Sequence, residues 1–345
     1  MTQVAVVGAG LVGVKRAAAL HASGRARVAV VADADAARSR DFAERFGCEV
    51  AAGWRAAVRH PGIQAVVVAT PNDSHAAITL AAIRAGKHVL CEKPLARRPA
   101  EALRMVRAAE ARGVCLKTGF NHRHFPAMLE AKALLDAGAI GEAMYARCRY
   151  GHGGRPGYEH EWRAQAAISG GGELLDQGVH VLDLFRWFLG DIREVTGTVL
   201  AAHWPIAPLE DNAFALCRTA AGRVGMLHTS WTQWRNLFSW ELFAQRGYLI
   251  VEGLGGSYGP QRLVIGRRTA DSPVPREEVK EYPDPESSWR RECEAFLDAV
   301  ATGRPPLGDG RDGLEAVRLV HALYRSARRG RAERVPPLGA PVEVP

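Results

Sequence analysis

The chain has 345 residues, 47% of them hydrophobic and 24% charged, and a mean hydropathy of −0.12. That composition excludes collagen-like, disordered and disulfide-scaffold proteins, and the length predicts two domains. The net charge of +8 raises nucleic-acid binding as a candidate, but the arginines are spread along the chain and lysine occurs only at Lys15, Lys87, Lys93, Lys117, Lys132 and Lys280. None of the usual nucleic-acid modules shows its signature, and a diffuse positive field equally suits an anionic cofactor or a phosphorylated substrate. No apolar run is long enough to cross a bilayer, and no secretory signal precedes Val4–Val7. The six cysteines are scattered, with no Cys-x-x-Cys pair. Reduced thiols in a cytoplasmic protein are therefore expected, with no metal and neither nucleic acid nor membrane as partner.

The first hundred residues alternate strand and helix patterns. Strands are predicted at Val4–Val7, Val28–Ala32, Ala65–Ala69, Val89–Cys91 and Val114–Thr118. Helices are predicted at Val12–His21, Ala36–Phe46 and Ser74–Ala85. Such βαβ repetition implies a parallel sheet covered on both faces. After Phe120 the character changes. A helix at Met128–Ala137 leads to a strand at Glu142–Tyr150, a Gly-rich aromatic loop from Gly151 to Gly172, and a strong helix from about Leu174 to Leu189. Residues 194–265 read as strands with turns at Ala221-Gly222 and Arg246-Gly247, and Trp231, Trp234 and Trp240 are candidates for an exposed sheet face that would form an oligomer interface. Helices at about Ser287–Ala301 and Arg311–Arg328 precede a Pro-rich tail. The predicted organisation is α/β plus α+β: a dinucleotide-binding domain over 1–122, a second domain over 123–330, and a tail over 331–345.

The nucleotide expectation rests on Gly8-Ala9-Gly10-Leu11-Val12-Gly13. Gly-rich turns are common, but this G-x-G-x-x-G follows a strand and opens a helix. Gly8 permits the tight turn, Gly10 lets backbone approach a pyrophosphate, and Gly13 allows close helix–strand packing. The helix N-terminus then receives the phosphates. Asp33, at the end of the next strand, stands where an acid binds the ribose hydroxyls. A carboxylate there accepts from a free 2′-hydroxyl and repels a 2′-phosphate, so NAD is favoured over NADP. Arg38, one turn on, is the residue that could reverse the preference.

Three segments carry candidate chemistry. Ala69-Thr70-Pro71-Asn72-Asp73-Ser74-His75 and Glu92-Lys93-Pro94 end consecutive strands at the edge where a doubly wound sheet binds ligands. Taken alone, Lys93 also reads as a surface lysine at a strand end. In Gly170-Gly171-Gly172-Glu173-Leu174-Leu175-Asp176-Gln177-Gly178-Val179-His180, helical spacing places Asp176 and His180 on one face, with Asp183 close by. Leu175, Val179, Leu182 and Phe185 form a separate apolar stripe. The Asp–His pair is a tunable acid/base couple, or else a salt-bridged surface histidine. Zinc lacks a thiolate or histidine-rich partner at useful spacing.

Together these segments, with Gly86–Pro94 and Gly119-Phe120-Asn121-His122-Arg123, resemble the Gfo/Idh/MocA family over nearly the whole chain. The resemblance implies a Rossmann domain and a C-terminal domain with a large, open, mostly antiparallel sheet that forms oligomer contacts, hence a homodimer or homotetramer. It implies that Lys93, Asp176 and His180 match the family's catalytic residues. Thr70, Asn72, His75, Glu92 and Lys93 would join Gly8, Gly10, Leu11, Val12, Gly13 and Asp33 around NAD, and Lys93–Pro94 becomes a candidate cis bond. Lys93 would hydrogen-bond the reacting oxygen of a secondary alcohol, His180 would take its proton, and Asp176 would orient His180 or hold a second hydroxyl. The loop from Tyr150 to Arg163 is expected at the pocket mouth. Arg123, Trp162 and Arg163, with Asp176 and His180, are the candidate substrate contacts. The expected substrate is a sugar, sugar nucleotide, aminoglycoside or cyclitol, with 3-oxidation of a hexose before transamination as the preferred reading. An NAD-dependent glycosidase and a non-catalytic NAD-binding regulator are the alternatives.

Overall fold

Four residues that are all apolar and all buried, Val4–Val7, begin the fold as a strand with no solvent face, the signature of a central parallel strand. In the computed structural model, which describes residues 1–284 and 287–338, this is β1 (Thr2–Val7). It is followed by α1 (Leu11–Ala22), β2 (Ala26–Ala32), α2 (Ala36–Phe46), β3 (Glu49–Val50), α3 (Trp54–Arg59), β4 (Ala65–Val68), α4 (Asn72–Arg84), β5 (His88–Cys91), α5 (Pro99–Arg112) and β6 (Leu116–Thr118). Local chemistry sets the boundaries. Asp35 caps α2 by accepting from the backbone N–H groups of Ala37 and Arg38, and Gly47 ends it in the left-handed conformation. Pro99 starts α5 and Gly113 closes it at φ 67°. The six strands are parallel in the order β3-β2-β1-β4-β5-β6. The order reverses between β1 and β4, which is where a doubly wound sheet receives a dinucleotide. The two-residue β3 escaped the sequence reading because it has no periodicity.

The chain continues with α6 (Pro126–Asp136), β7 (Ala143–Gly151), the short α7 (Ala166–Ser169), α8 (Val179–Leu189), β8 (Ile192–Leu200), β9 (Asn212–Thr219), β10 (Val224–Ser230), β11 (Leu237–Ala244), β12 (Gly247–Glu252), β13 (Gln261–Thr269) and β14 (Ser272–Tyr282). After α9 (Ser287–Thr302) and α10 (Gly310–Arg329), β15 (Glu333–Arg334) completes a nine-stranded sheet in the order β14-β13-β12-β11-β7-β10-β9-β8-β15. Every neighbouring pair is antiparallel except β7 with β10. Strand β14 extends the strand-rich region beyond the expected end at 265, because its exposed, charged sequence lacks an apolar face.

Two expectations are corrected here. The chain does not divide simply into 1–122 and 123–330: the first compact unit comprises Met1–His124, Ala167–Gly170 and the described part of 286–317. Helix α9 returns to it because Cys293, Phe296 and Leu297 are buried against the β1–β2–β4 core residues Val4, Val28 and Val67. Second, Trp231 and Trp240, expected on an exposed sheet face, are fully buried, whereas Trp234 is 64% exposed. Of the expected tail, 339–345 lies outside the described residues.

Candidate functional site

In the first unit the nucleotide turn is dictated by space. Gly8 has φ +100°, and a Cβ there would lie 2.3 Å from the Ala69 carbonyl oxygen; at Gly13 it would lie 1.9 Å from the Gly8 carbonyl oxygen. At Gly10 a Cβ would meet nothing within 4 Å. The protein itself therefore requires two glycines, while the third keeps open the approach to the α1 N-terminus. That arrangement fits a pyrophosphate. Leu11 is 76% exposed at the start of α1. Asp33 accepts from the Ala9 N–H at 2.6 Å and the Asp35 N–H at 2.9 Å, tying the turn to the end of β2. Arg38, the residue that could favour NADP, lies 3.4 Å from the Asp35 carboxylate, so its charge is already paired within the protein.

Lys93 follows β5 at the same sheet edge, and the Lys93–Pro94 bond is cis. Thr70 accepts from the Ser74 hydroxyl at 2.6 Å. Four residues expected to touch ligands also have partners within the protein. Asn72 donates to the Ser169 carbonyl at 2.8 Å. His75 is fully buried with both ring nitrogens 2.9 Å from carbonyl oxygens, of Pro94 and of Thr70. Two acceptors demand two N–H donors, so the ring is held as a cation. Burial pulls its pKa down, but the Cys91 sulfur and these carbonyls together raise it to about 9. Glu92 is ion-paired with buried Arg16 at 2.6 Å. Arg123 is buried and paired with Asp312 at 2.9 Å. These side chains brace the strand ends from within. Residue type and motif position do not by themselves reveal these partners.

His122 belongs to the Gly119–Arg123 segment that follows β6. Its ring is buried, and its pKa falls to about 3 through burial and then through the positive charge of Lys93. A neutral imidazole thus stands in the field of the candidate catalytic ammonium.

In the second unit, the expected uninterrupted helix begins instead as a π-turn, Leu174–Gly178, which passes into α8. Buried Glu210 pins its start by accepting from the N–H groups of Gly172 (3.2 Å) and Leu174 (3.1 Å) and from the Tyr324 hydroxyl (2.7 Å). π-turns of this kind concentrate at functional sites. Asp176 is half-buried, while His180 and Asp183 are buried together with Leu175, Val179, Leu182 and Phe185. The polar residues of this helix are thus buried along with its apolar stripe, and only Arg186 and Trp187 of α8 are partly exposed.

The loop from Gly151 folds back toward Asp176. Arg163 Nε lies 3.4 Å from the Asp176 carboxylate, and its guanidinium lies 4.4 Å over the Trp162 ring. Glu161 bridges Arg155 (2.6 Å) and Arg163 (3.8 Å). Trp162, Arg163 and Asp176 are therefore together as expected. Tyr150, Tyr158 and Tyr258 all lie in the field of the same carboxylate. Burial raises all three phenol pKa values, Tyr258 to about 12, and the charges of Glu173 and Asp176 raise them further. Tyr258 escaped the sequence reading. The available signal was an aromatic residue inside a run of turn glycines, Gly253 to Gly259. Among the described residues no group of His, Cys, Asp and Glu has metal-binding geometry, and no helix is long and apolar enough to cross a membrane.

A parallel six-stranded sheet of order 3-2-1-4-5-6 with a G-x-G-x-x-G turn at its switch point defines a Rossmann dinucleotide-binding protein. The chain belongs to the Gfo/Idh/MocA oxidoreductase family: residues 2–120 match the family's NAD-binding Rossmann fold and 128–250 its C-terminal domain. It is 30% identical to inositol 2-dehydrogenase 1 of Saccharopolyspora erythraea, over 95% of this chain and 94% of that one. Levoglucosan dehydrogenase of Pseudarthrobacter phenanthrenivorans is 36% identical over 57% of this chain, about half (51%) of its own length. A solved levoglucosan dehydrogenase with NADH and L-sorbose superposes with a TM-score of 0.88 at 26% identity, covering 99% of this chain and 100% of that one. GenD2 from gentamicin A biosynthesis, solved with NAD, gives 0.83 at 30% identity, covering 97% of each chain.

Proposed function

We propose that this protein interconverts a ring secondary alcohol of a sugar or cyclitol and the corresponding ketone, with NAD as redox partner. The observation that carries the reading is Lys93 at the same strand-end edge of the first unit as the Gly8–Gly13 turn. When bound, NAD supplies the hydride acceptor. Leu11, Val12 and Gly13 open the helix that faces its phosphates, and Asp33 accepts from its ribose.

The remaining work falls to side chains. Lys93 donates to the substrate oxygen and favours its alkoxide character. His180 takes the hydroxyl proton, a contribution of roughly 10²–10⁴-fold in such sites. Asp176 orients His180 or accepts from a neighbouring hydroxyl, and Arg163 and Trp162 contact the sugar after Arg163 leaves Asp176. The narrower substrate reading is 3-oxidation of a hexose, sugar nucleotide or aminoglycoside ahead of transamination, for which the likeness to GenD2 is the support.

The test follows NADH absorbance over a panel of inositols, anhydrosugars, hexoses, sugar nucleotides and aminoglycosides, with NADP run in parallel. Turnover with NAD on one of these compounds is the expected result. Release of an aglycone without net NADH would favour the glycosidase alternative, and NAD binding without turnover the regulator. Better use of NADP would show that Arg38 governs the ribose pocket.

A further inference from the structure

Behind the Glu92–Lys93 strand end, the first unit contains a buried ionic network that the proposed chemistry does not use. Arg16, on α1 three residues past Gly13, is fully buried. Its Nε and Nη2 both lie 2.6 Å from one oxygen of Glu92. Its Nη1 donates to Glu292 of α9 at 2.6 Å. Trp289 covers the guanidinium face at 4.5 Å. Glu292 also faces Lys117 of β6 at 3.2 Å, and Lys117 lies 3.4 Å from His124. The charges balance: two cations, Arg16 and Lys117, meet two carboxylates, Glu92 and Glu292. His122 and His124 are held neutral, each lowered to about 3 chiefly by burial. Cys293 is the remaining titratable neighbour of Arg16.

The second Glu92 oxygen decides what this network does. It lies 3.4 Å from the Lys93 backbone N–H. It also stands over Gly119, where a Cβ would be 2.8 Å from it. One carboxylate thus joins the helix that receives the cofactor to the peptide that carries the candidate catalytic lysine.

We propose that Arg16 is a positioning residue which, through Glu92, fixes Lys93 relative to the cofactor helix, with Glu292 fixing Arg16. The inference rests on the role assigned above to Lys93. Without Arg16 the Glu92 carboxylate takes the adjacent Lys93 ammonium as its partner, drawing it away from the substrate oxygen. Lysine at position 16 keeps the charge but not the planar fork that reaches two carboxylates.

The test reads Lys93 directly, in the full chain saturated with NADH. Trace acetic anhydride labels the lysines, and Lys132 and Lys280 serve as internal references by peptide mass spectrometry. In Arg16→Met, labelling of Lys93 is expected to fall about tenfold relative to the references, because an ion-paired ammonium is a poorer nucleophile. In Arg16→Lys, which retains a buried cation and guards against loss of the fold in the first variant, it is expected to fall by about threefold. With a substrate from the panel above, Arg16→Met is expected to lower kcat by roughly 10²-fold, as a misplaced catalytic group does, while the KM for NAD stays within about threefold. The kcat loss should vanish in a Lys93→Met background. Unchanged Lys93 labelling in both folded variants would reduce the network to a structural role and overturn the proposal. Undiminished turnover in Lys93→Met alone would instead overturn the assigned role of Lys93, leaving the labelling result to stand or fall separately.

Discussion

At the scale of single residues, position and charge make sharp demands. Lys93→Met keeps much of the stem while removing the charge and all three donors. It should leave the fold and NADH affinity intact, by fluorescence titration, and nearly abolish turnover, because the substrate oxygen loses its electrophilic partner. His180→Asn should also lose most of its rate. Whatever rate remains should no longer show the pH dependence of kcat/KM seen in the parent, if His180 is the proton acceptor. A residual rate with the parent profile would remove His180 from that role.

His75 carries a different pH dependence. Its pKa is raised from the ordinary 6.5 to about 9 in the folded chain. A raised value means that folding favours the protonated form, so the stabilisation is complete below about pH 6.5 and is lost as pH climbs through about 9. Deprotonation leaves one ring nitrogen without a proton against a carbonyl oxygen. Thermal unfolding should therefore show Tm dropping between pH 7 and 9.5. His75→Gln, which keeps one donor, should be less stable at pH 7 by roughly 1–3 kcal/mol and flatter across that interval. A parallel decline in both proteins would show that other groups set the alkaline limit.

At the scale of elements, the Gly8–Gly13 turn separates packing from ligand access. Gly13→Ala puts a Cβ 1.9 Å from the Gly8 carbonyl oxygen, so the turn itself must shift. Both Tm and NAD affinity should fall. Gly10→Ala meets no protein atom within 4 Å. Its unfolding free energy should stay within about 0.5 kcal/mol of the parent, while NAD affinity drops by about tenfold or more because the methyl occupies the approach to the phosphates. Equal affinity in Gly10→Ala would place the pyrophosphate elsewhere.

The nine-stranded sheet shows how an element distributes its faces. Along β9 buried and exposed residues alternate, and the exposed set includes Phe214 and Leu216. Leu216 pairs directly with Met226 of β10, and the Phe214 ring stacks on His228 at 4.2 Å. Tyr145 stacks on Phe243 at 5.0 Å.

For the whole molecule this outer face has a consequence. Tyr145, Phe214, Leu216 and Met226 remain 42–51% exposed on neighbouring strands, and a contiguous apolar patch of this kind marks an association surface. We expect a homodimer or homotetramer built on this face. Trp231 and Trp240 are buried and take no part. Light scattering at micromolar concentration should give a dimer or tetramer mass, and Leu216→Lys with Met226→Glu should give monomers. A monodisperse parent monomer would rule the interface out.

Much of the architecture is local in origin and was legible in the residues. The parallel sheet, the nucleotide turn, the ends of α2 and the place of Lys93 at a strand end follow from periodicity, caps and glycine sterics, which act within a few residues. What the tertiary structure decided involves partners far apart in the chain. Arg16 meets Glu292 across 276 positions, so its burial within α1 had no signal in its neighbours. Helix α9 joins the first unit rather than the second because its apolar face completes the β1–β2 core, and periodicity shows that such a face exists but not where it is buried. The same limit explains Trp240, Glu92 and His75: strand or helix placement sets where a side chain starts, while its exposure depends on the layer packed over it. The π-turn at Leu174–Gly178 belongs with these, since it depends on Glu210 arriving from a distant loop to bind the N–H groups of Gly172 and Leu174.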